Sequence, residues 1–493
     1  MSNLLFFFDE DLPANSRNVH FAYGPVERLG VMLAGDTPWD HGAASIAVSK
    51  TFDMGDGTYR MYYWSYGSRC CENPDESMPR GLIATSTDRL HWERAPLGQV
   101  QVRGEETNIL HFEGLETQIC VGPSQVRLDD GRWRYYFWGC ENGTSLWAMM
   151  AAESEDGLHF KMINGGKGLL YHPPLPECGP LLCDVAKKLR RDPQEYEREQ
   201  TLRINRLQSN DNSTVYYDPN RGFEVFHQYL VENTVAGGRV VDVPFNCPAF
   251  LRTISRRRSE DGIHWGDPEL LIWPDQRDPW DMQFYNMPVC DYAGWRIGLL
   301  GHFLTEAGKQ TCFIEQTFSR DGSKWQRPLR GHWFEGAQPE DIGGIYPAGD
   351  ALVENSDHRG DHWLLYYTGL RAGHDVVDET NYKQYSLAVR IPKNRLLAVE
   401  AGKVTGGFMT EPIFLSQDQI KIDANVRGWL RAELCDIFGR KHEGYHLMDS
   451  ETVSGDSQDH VLRWKGKDSA EFRYKPVRIR FEFAEGDVYC VKY

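Results

Sequence analysis

The chain has 493 residues, enough for one large domain and a smaller one, and its 41% hydrophobic and 25% charged residues are typical of a soluble globular protein. A formal net charge of −17 argues against a nucleic-acid partner or an anionic membrane surface, because both are polyanions. No stretch approaches membrane-spanning length, and the short apolar run at residues 4–8 lacks the basic flank of a signal peptide.

The cysteines indicate a reducing compartment. There are eleven of them, an odd number, and they are scattered along the chain. The adjacent pair Cys70 and Cys71 matches neither a secreted disulfide framework nor a zinc-binding spacing. We therefore predict a cytoplasmic protein.

A turn phrase of the form Ser-x-Asp-Gly-x-His-Trp recurs along the chain. Its copies or close variants lie at 86–92, 154–160, 259–265 and 319–325. Each predicts a tight turn in which Asp supplies a side-chain acceptor, Gly a permissive backbone, and the closing aromatic residue packs under its own sheet. Repeated turns of this kind predict repeated sheets.

An alternating aromatic or β-branched run, typical of a half-buried strand, lies near each turn and once more after the last. The five runs are 59–64, 133–138, 223–229, 295–300 and 362–367. Five units at irregular spacing fit four-stranded blades that carry loops of different length. The sequence therefore predicts an all-β protein built on a five-bladed β-propeller.

Segments outside the repeats complete the predicted organisation. The N-terminal segment, up to about Leu33, is expected to pair with the last blade and close the ring. A charged helical insertion at 184–200 is predicted between blades two and three, where it could contribute to a homo-oligomer contact. After Asn394 the pattern changes to four short strands, at 419–423, 428–434, 477–483 and 487–491. We predict a propeller over 1–393 and a C-terminal β-sandwich over 394–493.

Innermost propeller strands begin around one mouth of the central channel, so a carboxylate just before such a strand is a candidate pocket residue. Every blade offers one: Asp40, Glu116, Asp211, Asp281 and Asp341. Any one of them alone could cap a turn, but five at similar positions favour a site. Glycoside cleavage needs a carboxylic acid of raised pKa and a second, ionised carboxylate. Asp40, Glu116 and Asp211 are the predicted catalytic residues.

Other residues near these positions are predicted to bind substrate. They are Trp39, His41, Asp281, Gln283, Tyr285, Asp341 and Tyr346. Trp39 could serve as a stacking platform and His41 could hydrogen-bond a sugar hydroxyl; the aromatic residues could equally belong to the core. No compact metal-ligand spacing is present, so neither a metal nor another cofactor is predicted.

Several of these segments together resemble a known group of proteins. They are 5–9 (Leu-Phe-Phe-Phe-Asp), 38–40 (Pro-Trp-Asp), the four turn phrases, 213–218, 284–289 and 341–346 (Asp-Ile-Gly-Gly-Ile-Tyr). The chain is similar to bacterial glycosyl-hydrolase-like proteins related to glycoside hydrolase families 32, 43, 62 and 68. The resemblance implies a funnel-shaped acidic pocket, activity on furanosides or related sugars, and a nucleophile or base role for Asp40. The general acid stays open between Glu116 and Asp211, with Glu177 a further candidate.

The leading hypothesis is an exo-acting glycoside hydrolase that removes a terminal sugar from a small oligosaccharide or glycoside. A sialidase would need three convergent arginines and a longer turn phrase. A glycoside phosphorylase would need a phosphate pocket, for which Arg371 and His374 are a candidate pair. A non-catalytic carbohydrate-binding propeller would use the same acids as hydrogen-bonding groups, and Gln283, standing where several relatives place an acid, would mark the loss of activity. Fold alone does not separate these functions.

Overall fold

The computed structural model describes residues 3–37, 39–40, 43–67, 79–143, 147–171, 208–232, 250–304, 311–374 and 384–493. Within these residues the secondary structure is nearly all β, with short 3₁₀ turns at Ile163–Gly165 and Ala470–Phe472. No helix among them has the length and apolar character needed to cross a membrane. The predicted insertion at 184–200 lies outside the described residues.

The first half of the chain forms four N-terminal strands and then three blades. The N-terminal strands are β1 (Leu4–Phe6), β2 (Ala14–Arg17), β3 (His20–Tyr23) and β4 (Glu27–Leu33). Blade 1 contains β5 (Ala43–Asp53), β6 (Tyr59–Gly67) and β7 (Arg80–Ser86), followed by the hairpin β8 (Gln101–Val102) and β9 (Glu105–Glu106). Blade 2 contains β10 (Phe112–Glu113), β11 (Val121–Arg127), β12 (Trp133–Cys140), β13 (Trp147–Ser154), β14 (Phe160–Met162) and β15 (Leu170–Tyr171). Blade 3 contains β16 (Gln208–Asp218), β17 (Gly222–Glu232), β18 (Phe250–Ser259) and β19 (Glu269–Ile272).

The second half adds two blades and most of a further sheet. Blade 4 contains β20 (Gln283–Asn286), β21 (Val289–Tyr292), β22 (Trp295–Leu304) and β23 (Thr311–Ser319). Blade 5 contains β24 (Gly344–Pro347), β25 (Val353–Asp357), β26 (Gly360–Leu370) and β27 (Gln384–Pro392). The C-terminal strands are β28 (Leu397–Ala401), β29 (Gly406–Met409), β30 (Ile413–Phe414), β31 (Lys421–Cys435), β32 (Val453–Val461) and β33 (Pro476–Lys492).

The five sheets form a closed ring because each packs its apolar side chains against the next. Separate buried clusters join blade 1 to 2, blade 2 to 3, blade 3 to 4 and blade 4 to 5. A further cluster joins blade 5 back to blade 1, for example Tyr366 and Leu364 to Met61 and Ile46. Burial of large aromatic and aliphatic side chains at every interface is what holds such a ring together. The predicted five-bladed β-propeller is confirmed.

The ring is closed by the N-terminal segment, as predicted. Strand β4 pairs antiparallel with β27, with Leu33 opposite Ser386 and Glu27 opposite Arg390, so it supplies the outermost strand of blade 5. Because β4 leads directly into β5 of blade 1, blade 5 cannot separate from blade 1 without breaking this hydrogen-bonded ladder.

The remaining strands form a nine-stranded sheet that includes both ends of the chain. Strand β33 pairs with β31, β28 and β29, and β1 pairs with its last residues, Leu4 opposite Lys492. The sequence suggested four short strands here, but 419–434 and 477–491 fall mainly in two long strands, β31 and β33. Irregular pairing near Gly428 lets β31 continue where the alternation breaks. The two-layer sandwich is not confirmed, and the division at residue 394 stays a prediction.

Each of the four turn phrases begins at the last residue of a strand, β7, β13, β18 or β23, and connects that strand to the segment that follows it. In the second copy, Asp156 Oδ1 accepts hydrogen bonds from the amides of Leu158 and His159, 2.8 and 2.9 Å away. Gly157 has φ +71°, a conformation that favours glycine. The first copy has Arg89 at the same place with φ +64°. The predicted turn chemistry is therefore present.

Each turn also joins its blade to the preceding one. The Tyr62 hydroxyl on β6 donates to the Gly157 carbonyl oxygen at 2.8 Å, and the Tyr136 hydroxyl on β12 donates to that of Gly262 at 3.0 Å. The closing aromatic residues lie in the same interfaces; Trp265, for example, packs edge-on against Tyr136. They pack against the neighbouring blade as well as under their own sheet, where Phe160, for example, lies 5.1 Å from the Tyr135 ring, because the phrase fills the space between two sheets.

We expect Gly157→Ala to lower the free energy of unfolding by about 1–3 kcal/mol. A Cβ atom there would lie 2.5 Å from Arg60 Nη1 and 2.6 Å from the Tyr62 hydroxyl oxygen, in addition to the positive φ. Gly131→Ala is the matched control, because Gly131 has φ +91° and nothing within 4 Å of such a Cβ. Urea denaturation of both variants measures the difference; equal losses would show that the contact between blades contributes nothing.

Polar side chains close the central channel. Lys50 of blade 1 donates to the Val215 carbonyl oxygen of blade 3 at 2.6 Å, and Tyr216 of blade 3 donates to that of Gly349, next to β24 of blade 5, at 3.4 Å. Contacts between blades that are not neighbours can form only across the axis. Burial lowers the pKa of Lys50 to about 8 and raises the pKa of Asp350, whose Oδ2 accepts from the Thr51 amide, to about 6. The propeller therefore has a blocked axis.

Candidate functional site

The candidate site lies at the end of the propeller where the innermost strands begin. Strands β5, β11, β16, β20 and β24 all start at this end, and the predicted site residues precede or open these strands. The turn phrases and the hairpins between first and second strands lie at the opposite end. We call the end at which the innermost strands begin the mouth.

Aromatic rings from blades 4 and 5 meet at the mouth. The ring centroid of Tyr285 lies 6.1 Å from that of Tyr346, 5.9 Å from Phe303 and 5.1 Å from His374. The Tyr285 hydroxyl and His374 Nε2 are 3.2 Å apart, and the Tyr346 hydroxyl donates to Gln384 Oε1 at 2.7 Å. The alternation of the two inner strands places Tyr285 and Tyr346 in the same interface, because each occupies the side that faces the other blade.

Arg252 extends this group to blade 3. Its backbone amide and its Nη1 both donate to Oε1 of the buried Gln283, at 3.3 and 3.1 Å. Its guanidinium carbon lies 5.8 Å from the Tyr285 ring centre and 5.3 Å from that of Phe303. We define the mouth cluster as Arg252, Gln283, Tyr285, Phe303, Tyr346, His374 and Gln384. Aromatic faces combined with amide, hydroxyl and guanidinium groups can stack on a sugar ring and hydrogen-bond its hydroxyls.

Asp40 is buried just before β5. Its Oδ1 accepts from the Thr37 amide at 2.7 Å, and its Oδ2 lies 3.5 Å from Arg94 Nη1. Burial raises the pKa of Asp40 above its ordinary value, against the opposing effects of the Thr37 hydrogen bonds and the Arg94 charge. Asp36, an exposed carboxylate, also pairs with Arg94. Asp40 thus has the raised pKa expected of a proton donor.

The other two predicted catalytic residues lie on neighbouring blades. Glu116 is exposed in the loop before β11, where its Oε2 accepts from the Gly143 amide at 3.0 Å and its own amide donates to Asn142 at 2.9 Å. The backbone of Asp211 lies within β16, but its side chain lies outside the described part of the chain, as does all of His41.

Asp341 and Trp39 have internal partners. The buried Asp341 carboxylate accepts from Arg28 Nη1 at 2.6 Å, from the Tyr367 hydroxyl at 2.8 Å, and from the amides of Ala337 and Gln338, both at 2.8 Å. Because Arg28 lies on β4, this carboxylate is directed to the outermost strand. Trp39 packs against the core between blades 5 and 1, and its indole Nε1 donates to Asn108 Oδ1 at 2.7 Å.

The structure therefore brings together three of the predicted substrate-binding residues, Gln283, Tyr285 and Tyr346, in the mouth cluster. Asp281 is buried two residues before Gln283. Sequence reasoning missed Arg252, Phe303 and Gln384 as site residues, and it considered His374 only for binding phosphate. Arg252 and Gln384 lie at the starts of β18 and β27, Phe303 lies near the end of β22, and His374 follows β26. No repeated phrase marks these positions.

A further carboxylate, Glu141, was also missed. It is buried directly after β12, at the mouth end of blade 2. The aromatic run at 133–138 marks the strand that leads to it, so the position could have been inferred from strand direction. Across the parts of the chain that the structure covers, no three His, Cys, Asp or Glu side chains are grouped so as to hold a metal ion.

No family model and no curated protein matches the chain. Solved structures that match it include an RGII complex of BT0996, 13% identical, covering 75% of this chain and 92% of that one, with a TM-score of 0.47. A thermostable family-43 glycoside hydrolase is 11% identical, covering 73% and 95%, with a TM-score of 0.42. The Bombyx mori family-32 β-fructofuranosidase BmSUC1 is 11% identical, covering 96% and 92%, with a TM-score of 0.40. Such values describe similarity of fold, so the chemistry of this chain has to be argued from its own residues.

Proposed function

We propose that the protein is an exo-acting glycoside hydrolase whose substrate is a small oligosaccharide or glycoside. The observation that carries this proposal is the mouth cluster above a blocked axis. The partly exposed Tyr285, His374 and Arg252 would contact the sugar, and the buried Gln283, Tyr346 and Gln384 would hold them in place from below. Because Lys50 and Tyr216 close the channel below, a glycan chain could not thread through. A terminal sugar would enter and the rest of the substrate would stay outside.

The chemistry would need two carboxyl groups, one protonated and one ionised. Burial raises the pKa of Asp40, which suits the general acid, whereas the family resemblance implies that it is the nucleophile or base. Glu116 and Asp211 are the proposed partners, with Glu141 a further candidate. The pH dependence of turnover separates the two roles of Asp40. Loss of the alkaline limb in an Asp40 variant would indicate the acid, and loss of the acidic limb would indicate the base.

We expect wild-type protein to release the chromophore from at least one member of a panel of aryl α- and β-glycosides that includes furanosides and pyranosides. Asp40→Asn, Glu116→Gln and Asp211→Asn are compared on the same substrate. We expect at least two of the three to lose about 100-fold or more in kcat, since positioned acid–base groups typically contribute about 10²–10⁴. Undiminished turnover in all three variants would contradict the assignment.

Asp36→Asn is the matched control for Asp40→Asn. Asp36 pairs with the same guanidinium, Arg94, but its side chain is 70% exposed. A loss confined to Asp40→Asn would show that the buried carboxyl acts in turnover, whereas equal losses would show that both changes act by releasing Arg94. Sugar binding that persists in Asp40→Asn without turnover supports catalysis; a wild type that binds sugars and turns none of them over would favour a carbohydrate-binding propeller.

A glycoside phosphorylase is the second candidate, because Arg252 and His374 bring cationic or hydrogen-bonding nitrogen groups to the same ring, that of Tyr285. A phosphorylase would cleave only when inorganic phosphate is present and would release a sugar 1-phosphate. Turnover in phosphate-free buffer with release of the free sugar would exclude this alternative.

We also propose that the protein works in the reducing cytoplasm. The free thiols of Cys120, Cys290, Cys435 and Cys490 support this proposal.

A further inference from the structure

A second cavity lies at the opposite end of the propeller from the mouth, between blades 3 and 4. It has a volume of about 620 Å³. Its walls come from the hairpin between β21 and β22, from the ends of β17 and β18, and from the last turn phrase. We call it the arginine cleft, because its lining includes Arg221, Arg256, Arg258, Arg296 and Arg320.

The floor of the cleft is a buried ion-pair group. Arg296 Nη2 donates to Glu224 Oε2 at 2.6 Å, and Arg256 Nη1 donates to Glu224 Oε1 at 3.1 Å. Burial opposes ionisation of Glu224, but these arginines outweigh it and lower the pKa of the carboxyl. The floor is therefore fixed in place, with one carboxylate facing two guanidinium groups.

The rim carries arginines that are only loosely paired. The side chains of Arg258 and Arg320 are 60% and 52% exposed. Arg258 Nε lies 3.7 Å from Glu224 Oε1, and Arg320 Nη2 lies 3.5 Å from Asp9 and 3.6 Å from Glu411. These separations exceed those of charge-assisted hydrogen bonds, which are about 2.7–2.9 Å. Each rim guanidinium can therefore turn toward a ligand without breaking a short hydrogen bond, although Arg320 would leave the Trp295 ring, whose centre lies 4.1 Å from its guanidinium carbon.

The acidic groups of the cleft are engaged by partners within the cleft or in their own turn. Asp291 pairs with Arg221 and, at 3.2 Å, with Arg296. Asp321 Oδ1 accepts hydrogen bonds from the backbone amides of Ser323 and Lys324 in its own turn. Five arginines and three carboxylates thus line the cavity, and four further carboxylates pair with these arginines from outside the lining, so its positive character rests on the exposed guanidinium groups of Arg258 and Arg320 and not on net charge. Asp218 and Glu269 reach Arg221 and Arg256 from outside this lining.

The cleft continues toward the axis. A narrower cavity of about 100 Å³ shares Arg221, Glu224, Asp291 and Arg296 with it and extends to Tyr216. Tyr216 is one of the residues that block the channel below the mouth.

We propose that the arginine cleft binds a small organic ligand bearing a tetrahedral oxyanion, a phosphate or sulfate ester of about the size of one sugar unit. Guanidinium groups match such oxyanions through paired N–H donors. A volume of about 620 Å³ falls within the range of small-molecule sites, roughly 300–1,000 Å³. Arg258 and Arg320 would hold the oxyanion from the two adjacent blades, 3 and 4, and the Tyr292 side of the cleft would face the organic part. The site is independent of sugar turnover at the mouth.

The test measures thermal unfolding and calorimetric binding of the full chain with inorganic phosphate and with a hexose 6-phosphate, at constant ionic strength set with chloride. We expect both probes to raise the unfolding midpoint of the wild type. Arg258→Gln/Arg320→Gln should bind each at least about tenfold more weakly, since one charge-assisted hydrogen bond contributes that much. Arg17→Gln/Arg427→Gln, two exposed, ion-paired arginines of the nine-stranded sheet, is the charge-matched control and should bind as the wild type does.

Tighter binding of the hexose phosphate than of phosphate would support the ester ligand, whereas equal binding would show that the cleft recognises the oxyanion alone and would overturn the organic part of the proposal. No binding by the wild type, or equal binding by both double variants, would overturn the oxyanion site itself. The single variant Arg320→Lys keeps the charge but removes the paired donors. It should bind more weakly than the wild type, and unchanged binding would likewise contradict the proposal.

Discussion

Arg327→Ala is expected to lower the free energy of unfolding by about 3–5 kcal/mol, because it leaves buried carboxylates without their counter-charge. Arg327 Nη1 and Nη2 each donate to one oxygen of Asp278 at 2.8 Å, and Nε and Nη2 donate to Glu315 at 2.5 and 2.9 Å. All three side chains are nearly inaccessible to solvent. Urea denaturation at pH 7 gives the value.

The control is Arg330→Ala. Arg330 also pairs with Asp278, at 3.1 Å, and with Asp275, at 2.8 Å, but it is more exposed, so its removal should be less damaging. A loss as large as that of Arg327→Ala would contradict the view that burial, and not the number of ion pairs, sets the size of the effect.

The wild type and Arg327→Ala should also differ in how their stability depends on pH. Burial opposes ionisation of Glu315, but His302 and Arg327 outweigh it and lower its pKa from 4.5 to about 2. A carboxyl whose pKa is lower in the folded state contributes stability above its unfolded pKa. That contribution is lost as the pH falls from about 4.5 to about 2. Arg327→Ala should show a smaller fall in stability across that interval than the wild type.

Asp341→Ala is expected to lower the free energy of unfolding by a similar amount, about 3–5 kcal/mol. The substitution would leave the Tyr367 hydroxyl and the amides of Ala337 and Gln338 without their acceptor, and it would release Arg28. Arg28 lies on β4, the strand that closes the ring, so we expect the loss to appear as weaker closure of blade 5. Thermal and urea denaturation measure it.

Glu27→Gln is the matched control on the same strand. Glu27 is exposed and pairs with Arg359 at 2.9 Å, so its loss should change stability by less than about 1 kcal/mol. The two variants also test the sequence-based role of Asp341. Unchanged stability with weaker sugar binding in Asp341→Ala would show that the carboxylate serves substrate and not ring closure.

The repeated phrases made the architecture predictable from sequence. A turn of Ser, Asp and Gly is a local structure, set by hydrogen bonds over three residues, so Asp156 and Gly157 reveal it without any tertiary information. The alternating run at 133–138 likewise reveals a strand. The partner of Tyr136 was not predictable, because the residue that accepts its hydroxyl lies 126 positions away, on another blade.

The C-terminal region shows the limit of local patterns. The break in alternation between the predicted strands at 419–423 and 428–434 suggests two short strands, yet β31 runs through it. Irregular pairing with β33 absorbs the break, and that pairing depends on a strand about 50 residues later. Local propensity is therefore a weaker guide there than cross-strand pairing.

The candidate site was predictable in part. Gln283, Tyr285 and Tyr346 precede or begin inner strands, so chain order and strand direction were enough to place them at the mouth. Arg252 and His374 enter the cluster from other strands and loops, and no repeated phrase precedes them. Asp341 occupies a similar chain position to Asp40, yet both side chains turn to arginines outside the inner strands, Arg28 of β4 and Arg94 of the loop after β7, which the sequence does not pair with them.

The number of blades and the turns follow from the sequence alone, because they depend on short-range hydrogen bonding and on the two-residue period of strands. The closing role of the N-terminal strand was expected from the way propellers are usually closed, but its ladder with β27 is a long-range pairing. Which side chains meet depends on the tertiary structure. Lys50 reaches Val215 across the axis, Arg252 reaches Gln283 at the mouth, and Arg258 and Arg320 face one cleft. Each meeting joins residues from different blades, and closure of the ring sets the distances between them.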